Sequence, residues 1–291
     1  MSLDCKAPNK GGILSTEVPF VDEVIMNALK EDMPGGDITT ESIIPPEMES
    51  EASFLMKEDG IIAGLDICKR VFEIIDPDTK FEKYYEDGTF VNKGTVVAKV
   101  SGKTRCLLMG ERTALNLLQR ISGIATATYL LCEKVKDYPV RIVDTRKTSP
   151  GLRFIDKYAV LMGGGKNHRI GLSDGVLIKD NHIKAAGGIK NAVEKVRARI
   201  PHTMKIEVEA STLEQVAEAL ECGVEIIMLD NMNDETMAEA VKLINKRALV
   251  EASGNMTLDR VEKVASTGVD IISVGAITHS VRALDISMKI V

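Results

Sequence analysis

The stretch DTRKTSPGLR, residues 144–153, places three cationic side chains and one carboxylate within ten residues of a chain whose formal net charge is −6. From 141 to 184 the chain carries nine Lys or Arg against four Asp, so positive charge is concentrated in this segment. Arg146 and Lys147 are the cations expected to bind an anion, because guanidinium and ammonium groups donate charge-assisted hydrogen bonds to carboxylates and phosphates. The pattern predicts a compact polyanionic ligand.

A second cationic segment follows in GGGKNHR, residues 163–169. The glycines fit two interpretations, a cap that ends the preceding amphipathic helix or a loop whose backbone approaches an anion closely. Lys166, His168 and Arg169 come directly after them. Beside Arg146 and Lys147, they predict a second cationic arm at the same site.

Six short apolar runs, each ending in a polar residue or glycine, recur through the second half of the chain. They lie at 140–144, 175–179, 205–209, 225–230, 249–253 and 270–275, with helical patterns between them. This alternation predicts parallel strands covered by helices, and the short regular units favour a barrel over an open sheet. Because a βα barrel builds its active site at the carboxyl ends of its strands, the residues at those ends are the site candidates.

Polar residues and glycines occupy these strand ends: Asp144, Lys179, Glu209, Asp230, Ser253, Gly254, Asn255 and Gly275. Glu209 and Asp230 end adjacent strands and predict carboxylates that bind ribose hydroxyls or share a Mg²⁺ ion. A monophosphate-binding cradle is predicted at Ser253, Gly254, Asn255 and Gly275, although two ordinary glycine turns would give the same pattern. His279, read alone, is typical of a surface histidine.

The first part of the chain lacks the regular alternation of apolar runs and helical patterns, which predicts a separate domain of helices and strands. Residues 18–31 and 107–121 have helical patterns. In the second part, the residues from Ser211 to Glu214 predict a capping box that begins a helix, and Thr257 is predicted to cap the next one. We expect domains at 1–122 and 123–277, with residues 278–291 as a tail that could pack back on the first domain.

Composition excludes several classes of protein. No run approaches the roughly 18 apolar residues of a membrane span, and residues 1–12 have no apolar signal core, so we expect a cytoplasmic protein without membrane contact. The five cysteines and four histidines are spread too widely to predict a disulfide framework or a transition-metal site. Basic-domain and aromatic signatures of nucleic-acid binding are absent from the sequence.

Several long motifs resemble one known family, the quinolinate phosphoribosyltransferases. They are GERTALNLLQRISGIAT, DTRKTSPGLR, KYAVLMGGGKNHRIGLSDGVLIKDNHI, IEVEA, MLDN, EASGNMTLD and THSVRALDISMKI, in this order over nearly the whole chain. The resemblance implies an α/β fold, with an N-terminal α/β sandwich domain and a C-terminal incomplete barrel of about seven strands. It also implies the reaction of quinolinate with phosphoribosyl pyrophosphate to give nicotinate mononucleotide, pyrophosphate and CO₂, with Mg²⁺ and no organic cofactor, in de novo NAD synthesis.

The resemblance also implies residue roles. The quinolinate site is expected to comprise Arg112, Thr145, Arg146, Lys147, His168, Arg169 and Lys179. The phosphoribosyl pyrophosphate site is expected to comprise Lys147, Lys179, Glu209, Asp230, Ser253, Gly254, Asn255, Gly275 and His279. Lys147, Lys179, Glu209 and Asp230 are the expected catalytic residues, and Glu209 and Asp230 are expected to hold Mg²⁺ partly through substrate and water.

In the family, Arg112 comes from the neighbouring subunit, which implies a homodimer and leaves open an extension to a hexamer. Two rival interpretations remain. Lys179 at a strand end is also typical of a Schiff-base lysine in a barrel aldolase. Relatives associated with molybdenum uptake suggest an anion-binding protein without quinolinate activity.

Overall fold

A computed structural model describes residues 19–291, so Cys5 and the start of the first predicted helix lie outside it. In chain order the helices are α1 (Pro19–Asp32), α2 (Ile38–Ile43), α3 (Leu65–Ile75), α4 (Thr104–Lys134), α5 (Arg153–Met162), α6 (Asp180–Ala186), α7 (Ile189–Arg197), α8 (Leu213–Glu221), α9 (Asp234–Ile244), α10 (Val261–Ser266) and α11 (Ala276–His279). The strands are β1 (Glu49–Met56), β2 (Gly60–Ile62), β3 (Lys80–Lys83), β4 (Thr89–Val91), β5 (Val96–Lys103), β6 (Arg141–Val143), β7 (Val176–Ile178), β8 (Ile206–Ala210), β9 (Ile226–Asp230), β10 (Leu249–Ser253), β11 (Ile271–Ser273) and β12 (Ile286–Ile290).

The described chain forms two compact units, of which the first comprises 19–129, 148–164 and 278–291. Its main sheet has the antiparallel order β12-β1-β5-β3, so the last strand of the chain pairs with the first. Phe54 of β1 is fully buried and packs against Phe72 of α3 and Phe81 of β3, with ring centroids 6.1 and 5.8 Å away. This aromatic cluster forms the core of the unit.

The long helix α4 extends 13 residues beyond the predicted end at Ile121. Ile124, Ala125 and Leu131 continue its buried apolar face, and the Thr128 hydroxyl donates to the carbonyl oxygen of Ile124 at 2.8 Å, which leaves the helix intact. The expected domain boundary at Gly123 therefore falls inside a continuous helix. The predicted boundaries themselves remain predictions.

Gly123 is buried in α4 because the backbone at Arg282 and Ala283 crosses the helix there. A Cβ atom at Gly123 would overlap the carbonyl oxygen of Arg282. We expect Gly123→Ala to lower the free energy of unfolding by about 1–3 kcal/mol through overpacking, although alanine gains about 1 kcal/mol of helix propensity. Thermal denaturation of the variant measures the effect.

Gly35→Ala is the matched control, since a Cβ atom at Gly35 meets nothing within 4 Å. A midpoint for Gly123→Ala at or above that of this control would show that the crossing segment moves aside without cost.

The second unit comprises 130–147 and 165–277 in the described chain. Its six parallel strands have the order β6-β11-β10-β9-β8-β7 and match the six apolar runs of the sequence. Lys166 adds one further parallel bridge, to Val143 at the free edge of β6. Helices connect the strands, so the predicted α/β fold class is confirmed.

Candidate active site

The carboxyl ends of the six parallel strands bring together most of the predicted site residues. The strands pair in register, with Ser253 of β10 opposite Asp230 of β9 and Ala210 of β8 opposite Leu229. Parallel strands present these ends along one edge of the sheet. The residues at or just beyond that edge are Thr145, Arg146, Lys147, Lys179, Glu209, Asp230, Ser253, Gly254, Asn255 and Gly275.

An ion pair joins the ends of β7 and β8. Lys179 Nζ lies 3.6 Å from Glu209 Oε2. Burial and the nearby carboxylate of Asp230 raise the pKa of Glu209, while the Lys179 ammonium opposes the rise. Two acidic groups that repel each other at a half-buried edge provide oxygen ligands for a divalent cation, so Glu209 and Asp230 fit a Mg²⁺ ion. The charged setting of Lys179 also differs from the apolar pocket of a Schiff-base lysine.

Gly254 stands in a turn that interlocks with the end of β9. Its φ is +97°, and a Cβ atom there would overlap the side-chain oxygen of Asn231. Asn231 in turn has a φ of 55° and donates through Nδ2 to Asp230 Oδ2 at 2.8 Å. Arg260 donates to the carbonyl oxygen of Gly254 at 3.1 Å and that of Met232 at 3.0 Å. The predicted phosphate cradle is thus a fixed turn.

Arg146 and Arg169 form the cationic part of the site. Burial lowers the pKa of Arg169, and the positive charge of Arg146 lowers it further, so the two guanidinium groups repel each other electrostatically. Arg169 Nη1 donates to the carbonyl oxygen of Gly175 at 2.8 Å. Arg146 Nε is buried, and no group in the described chain forms a hydrogen bond with it. A buried donor of this kind points to an anionic ligand.

The loop that carries Arg169 is held to the sheet at successive residues. Lys166 N donates to the carbonyl oxygen of Ile142 at 2.9 Å, which continues the bridge beside β6. The carboxylate of Asp144, which is fully buried, accepts from the backbone of His168 at 2.9 Å. His168 Nδ1 accepts from the backbone of Arg169 at 2.7 Å. The second cationic arm is therefore ordered by its own chain.

A buried acidic cluster lies on the other side of the His168 ring. His168 Nε2 is 3.1 Å from Glu207 Oε2 and 3.7 Å from Glu251 Oε1. Glu207 and Glu251 are 4% and 2% exposed and belong to β8 and β10. Neither glutamate was predicted from the sequence. The signal for Glu207 was its position two residues before Glu209 in the same strand, which places both side chains on one face.

Glu251 gives a prediction for stability against pH. Burial, together with the charge of Glu207, raises the pKa of Glu251 from 4.5 to about 7. The folded chain therefore binds this proton more tightly than the unfolded chain does. The resulting stabilisation is complete below about pH 4.5 and is lost as pH rises through 7.

We expect Glu251→Gln to remove that loss and to raise the free energy of unfolding at pH 8 by roughly 1–3 kcal/mol relative to wild type. Urea denaturation at pH 5 and pH 8 measures it. Glu262→Gln removes an exposed carboxylate of α10 and serves as the control. The prediction would be contradicted if the free energy of unfolding changed equally between pH 5 and pH 8 in wild type and in Glu251→Gln.

Two predicted site residues lie in the first unit. Arg112 is exposed on α4, and His279 is exposed at the end of α11, where Nδ1 lies 2.8 Å from Ser280 Oγ. The structure describes one chain, so the expected approach of Arg112 to a neighbouring site remains a prediction.

Arg120, which the sequence analysis missed, connects three segments of the first unit. Its guanidinium donates twice to the fully buried Asp156, at 2.9 Å each, and also to Ser149 Oγ at 2.9 Å. A longer bond of 3.4 Å reaches the carbonyl oxygen of Thr278. Arg120 thereby fixes the residues that follow Lys147 in sequence and those that precede His279. No single motif predicted this network.

Comparisons with known proteins show which family has this architecture. The family model "Quinolinate phosphoribosyl transferase, N-terminal domain" matches residues 37–122, and the corresponding C-terminal model matches 124–289. A probable nicotinate-nucleotide pyrophosphorylase [carboxylating] of Synechocystis is 48% identical over 94% of this chain and 93% of its own length. The chloroplastic relative of Arabidopsis thaliana is 51% identical over 92% of this chain and 82% of its own.

The crystal structure of NadC from Streptococcus pyogenes superposes with a TM-score of 0.90 at 40% identity, covering 95% of this chain and 98% of that one. The fold and the charged strand ends thus define a two-domain α/β enzyme with a barrel-type site. The chain belongs to the quinolinate phosphoribosyltransferase family. The family, fold class and enzyme class predicted from the motifs are confirmed. Within residues 19–291, no helix combines the length and apolarity required to cross a bilayer.

Proposed function

We propose that this chain transfers the phosphoribosyl group of phosphoribosyl pyrophosphate to quinolinate and releases CO₂, giving nicotinate mononucleotide and pyrophosphate. One observation carries the assignment beyond the family. Arg146 and Arg169 lie near each other at the strand ends, and the buried Nε of Arg146 has no hydrogen-bond partner among the described residues. A dicarboxylate neutralises two adjacent cations at once, which favours quinolinate over a monoacid.

The remaining residues at the strand ends suit the leaving group and the sugar. Lys147 and Lys179 supply positive charge for the departing pyrophosphate. As the bond to the ribose breaks, positive charge develops on the sugar, which Glu209 and Asp230 stabilise electrostatically. The fixed turn at Gly254, with Ser253, Asn255 and Gly275, binds the 5′-phosphate.

Attack by the pyridine nitrogen makes it a pyridinium. Loss of the adjacent carboxylate as CO₂ then leaves electron density on a carbon next to the positive nitrogen, which stabilises it. The protein's part is to bind and orient the ring, through Arg146, Arg169, His168 and Thr145, so that the nitrogen faces the sugar. No organic cofactor is required.

Mg²⁺ is part of the proposal. Glu209 and Asp230 would hold it, together with substrate oxygens and water, because the ion prefers a few carboxylates plus phosphate ligands. When bound, it neutralises charge on the pyrophosphate.

We also propose a homodimer in which Arg112 of each chain completes the quinolinate site of the other. The exposure of Arg112 on α4 supports this assignment, since its guanidinium is accessible to a second chain. Light scattering tests the assembly and separates a dimer from a hexamer. A cytoplasmic location is proposed from the sequence and is tested by cell fractionation.

The test of activity is incubation with quinolinate, phosphoribosyl pyrophosphate and Mg²⁺. We expect CO₂ and nicotinate mononucleotide in equal amounts. An anion-binding protein without this activity would bind quinolinate and release no CO₂. Loss of activity after borohydride treatment with a carbonyl substrate would instead support a Schiff-base lysine.

A further inference from the structure

Glu207 and Glu251 are buried carboxylates to which the proposed reaction assigns no role. Both belong to strands of the barrel sheet and both face the ring of His168, at 3.1 and 3.7 Å from Nε2. Burying a carboxylate is costly unless its partners compensate for the lost water. The contacts of the ring therefore determine what the pair does.

The ring nitrogens of His168 have different partners, and this fixes the position of the proton. Nδ1 lies 2.7 Å from the backbone nitrogen of Arg169, whose N–H donates, so Nδ1 must accept and carries no proton. A neutral imidazole with this arrangement has its proton on Nε2, directed at Glu207 Oε2 at 3.1 Å. An acceptor at Glu207 thus selects one tautomer of His168.

The selected tautomer in turn anchors the chain that carries Arg169. The backbone N–H of His168 is held by the buried carboxylate of Asp144, and the next N–H, of Arg169, is held by the ring. The guanidinium beyond it donates to the carbonyl oxygen of Gly175. If the proton moved to Nδ1, two donors would face each other and the backbone at Arg169 would lose its anchor.

We propose that Glu207 is a positioning residue: by accepting a hydrogen bond from Nε2–H of His168, it fixes the tautomer that anchors Arg169 for the carboxylates of the substrate. The inference rests on the proposed function, because its functional test measures the binding of quinolinate. Glu251 has a different part. Burial raises its pKa to about 7, so it is the protonated member of the pair below neutral pH and a glutamine imitates it.

The tautomer is measured directly by two-bond proton–nitrogen correlation spectra of ¹⁵N-histidine-labelled protein. The chain has four histidines, so replacing each in turn assigns the rings. Slightly below neutral pH, we expect His168 of the wild-type chain to show a protonated Nε2 and an unprotonated Nδ1. In Glu207→Leu, which leaves Nε2 without its acceptor, we expect this pattern to be lost.

Calorimetry gives the functional readout. We expect Glu207→Leu to weaken quinolinate binding by about 10–100-fold, the cost of misplacing a binding group by an ångström or so. Binding of phosphoribosyl pyrophosphate should stay within about twofold of wild type, which a general folding defect would not allow. Glu251→Gln is the matched control and should keep both the tautomer and the affinity for quinolinate.

Three results would overturn the inference: a protonated Nδ1 in wild type, wild-type quinolinate affinity in Glu207→Leu, or ring signals of His168 that shift when Zn²⁺ is added at stoichiometric concentration. The last would identify the cluster as a metal site, since its three ligand atoms lie within 4.8 Å of one another. Failure of the proposed function gives a different pattern, with the tautomer as expected and no quinolinate binding by the wild-type chain.

Discussion

Replacing Arg146 and Arg169 together by methionine is expected to lower kcat/KM for quinolinate by about 10²–10⁴-fold. Each guanidinium forms charge-assisted hydrogen bonds worth about 1.5–3 kcal/mol, and every 1.4 kcal/mol corresponds to roughly a factor of ten. Steady-state kinetics at saturating phosphoribosyl pyrophosphate measure the loss. We expect it in KM for quinolinate and in kcat, since positioning of the ring governs the chemical step.

The stability of the same variant should not fall. Burial and mutual repulsion lower the pKa of Arg169, so the pair is electrostatically unfavourable in the free protein. Two like charges held together for a ligand lower the stability of the free protein, as is common at functional sites. An unfolding midpoint equal to or above wild type, with activity lost, is the expected combination.

Arg141→Met with Lys184→Met is the matched control, because it removes two exposed charges from the same basic segment. Arg141 begins β6, at the opposite end of the strand from Arg146. Equal loss of activity in both double variants would mean that overall charge, not the pair at the strand ends, governs binding.

Nicotinate is expected to be a poor substrate, with kcat/KM about 10³-fold or more below that of quinolinate. Nicotinate lacks the carboxylate next to the ring nitrogen, so one of the two neighbouring cations would remain buried without its anion. Sites built to pair a polar substrate group reject analogues that lack it by large factors. Formation of nicotinate mononucleotide from each acid, followed chromatographically, gives the ratio.

The variant with Arg146 and Arg169 replaced provides a control for this prediction. Removing the cations removes the cost of leaving one unpaired, so the ratio between the two acids should fall toward one. Comparable turnover of both acids by the wild-type chain would exclude pairing of the second carboxylate with Arg146 and Arg169 as the basis of specificity.

Much of the barrel could be predicted, since its strands are short apolar runs with a polar residue at each carboxyl end. All six runs became strands within one or two residues, and their ends gave the charged site. The capping box predicted over 211–214 is shifted by one residue, since Thr212 caps α8 through its side-chain oxygen, which accepts from Gln215 N. Local patterns of this kind depend on neighbours in sequence, which one chain displays directly.

Other features depend on contacts that are distant in sequence. Thr257 does not cap α10, which begins at Val261, because the residues between them form a turn with Leu258 at the surface. The length of α4 is set by packing of its second half. Glu207 and Glu251 become a pair only when β8 and β10 are placed on either side of β9.

The pairing of β12 with β1 has a consequence for how the protein is made. Ala52 is the partner of Ile290, so the sheet of the first unit lacks the edge strand β12 until residues 286–290 have left the ribosome. Until then β1 presents an open row of backbone donors and acceptors, which invites pairing between nascent chains. A stop codon just before residue 286 would therefore leave β1 without this partner and give a product prone to aggregate.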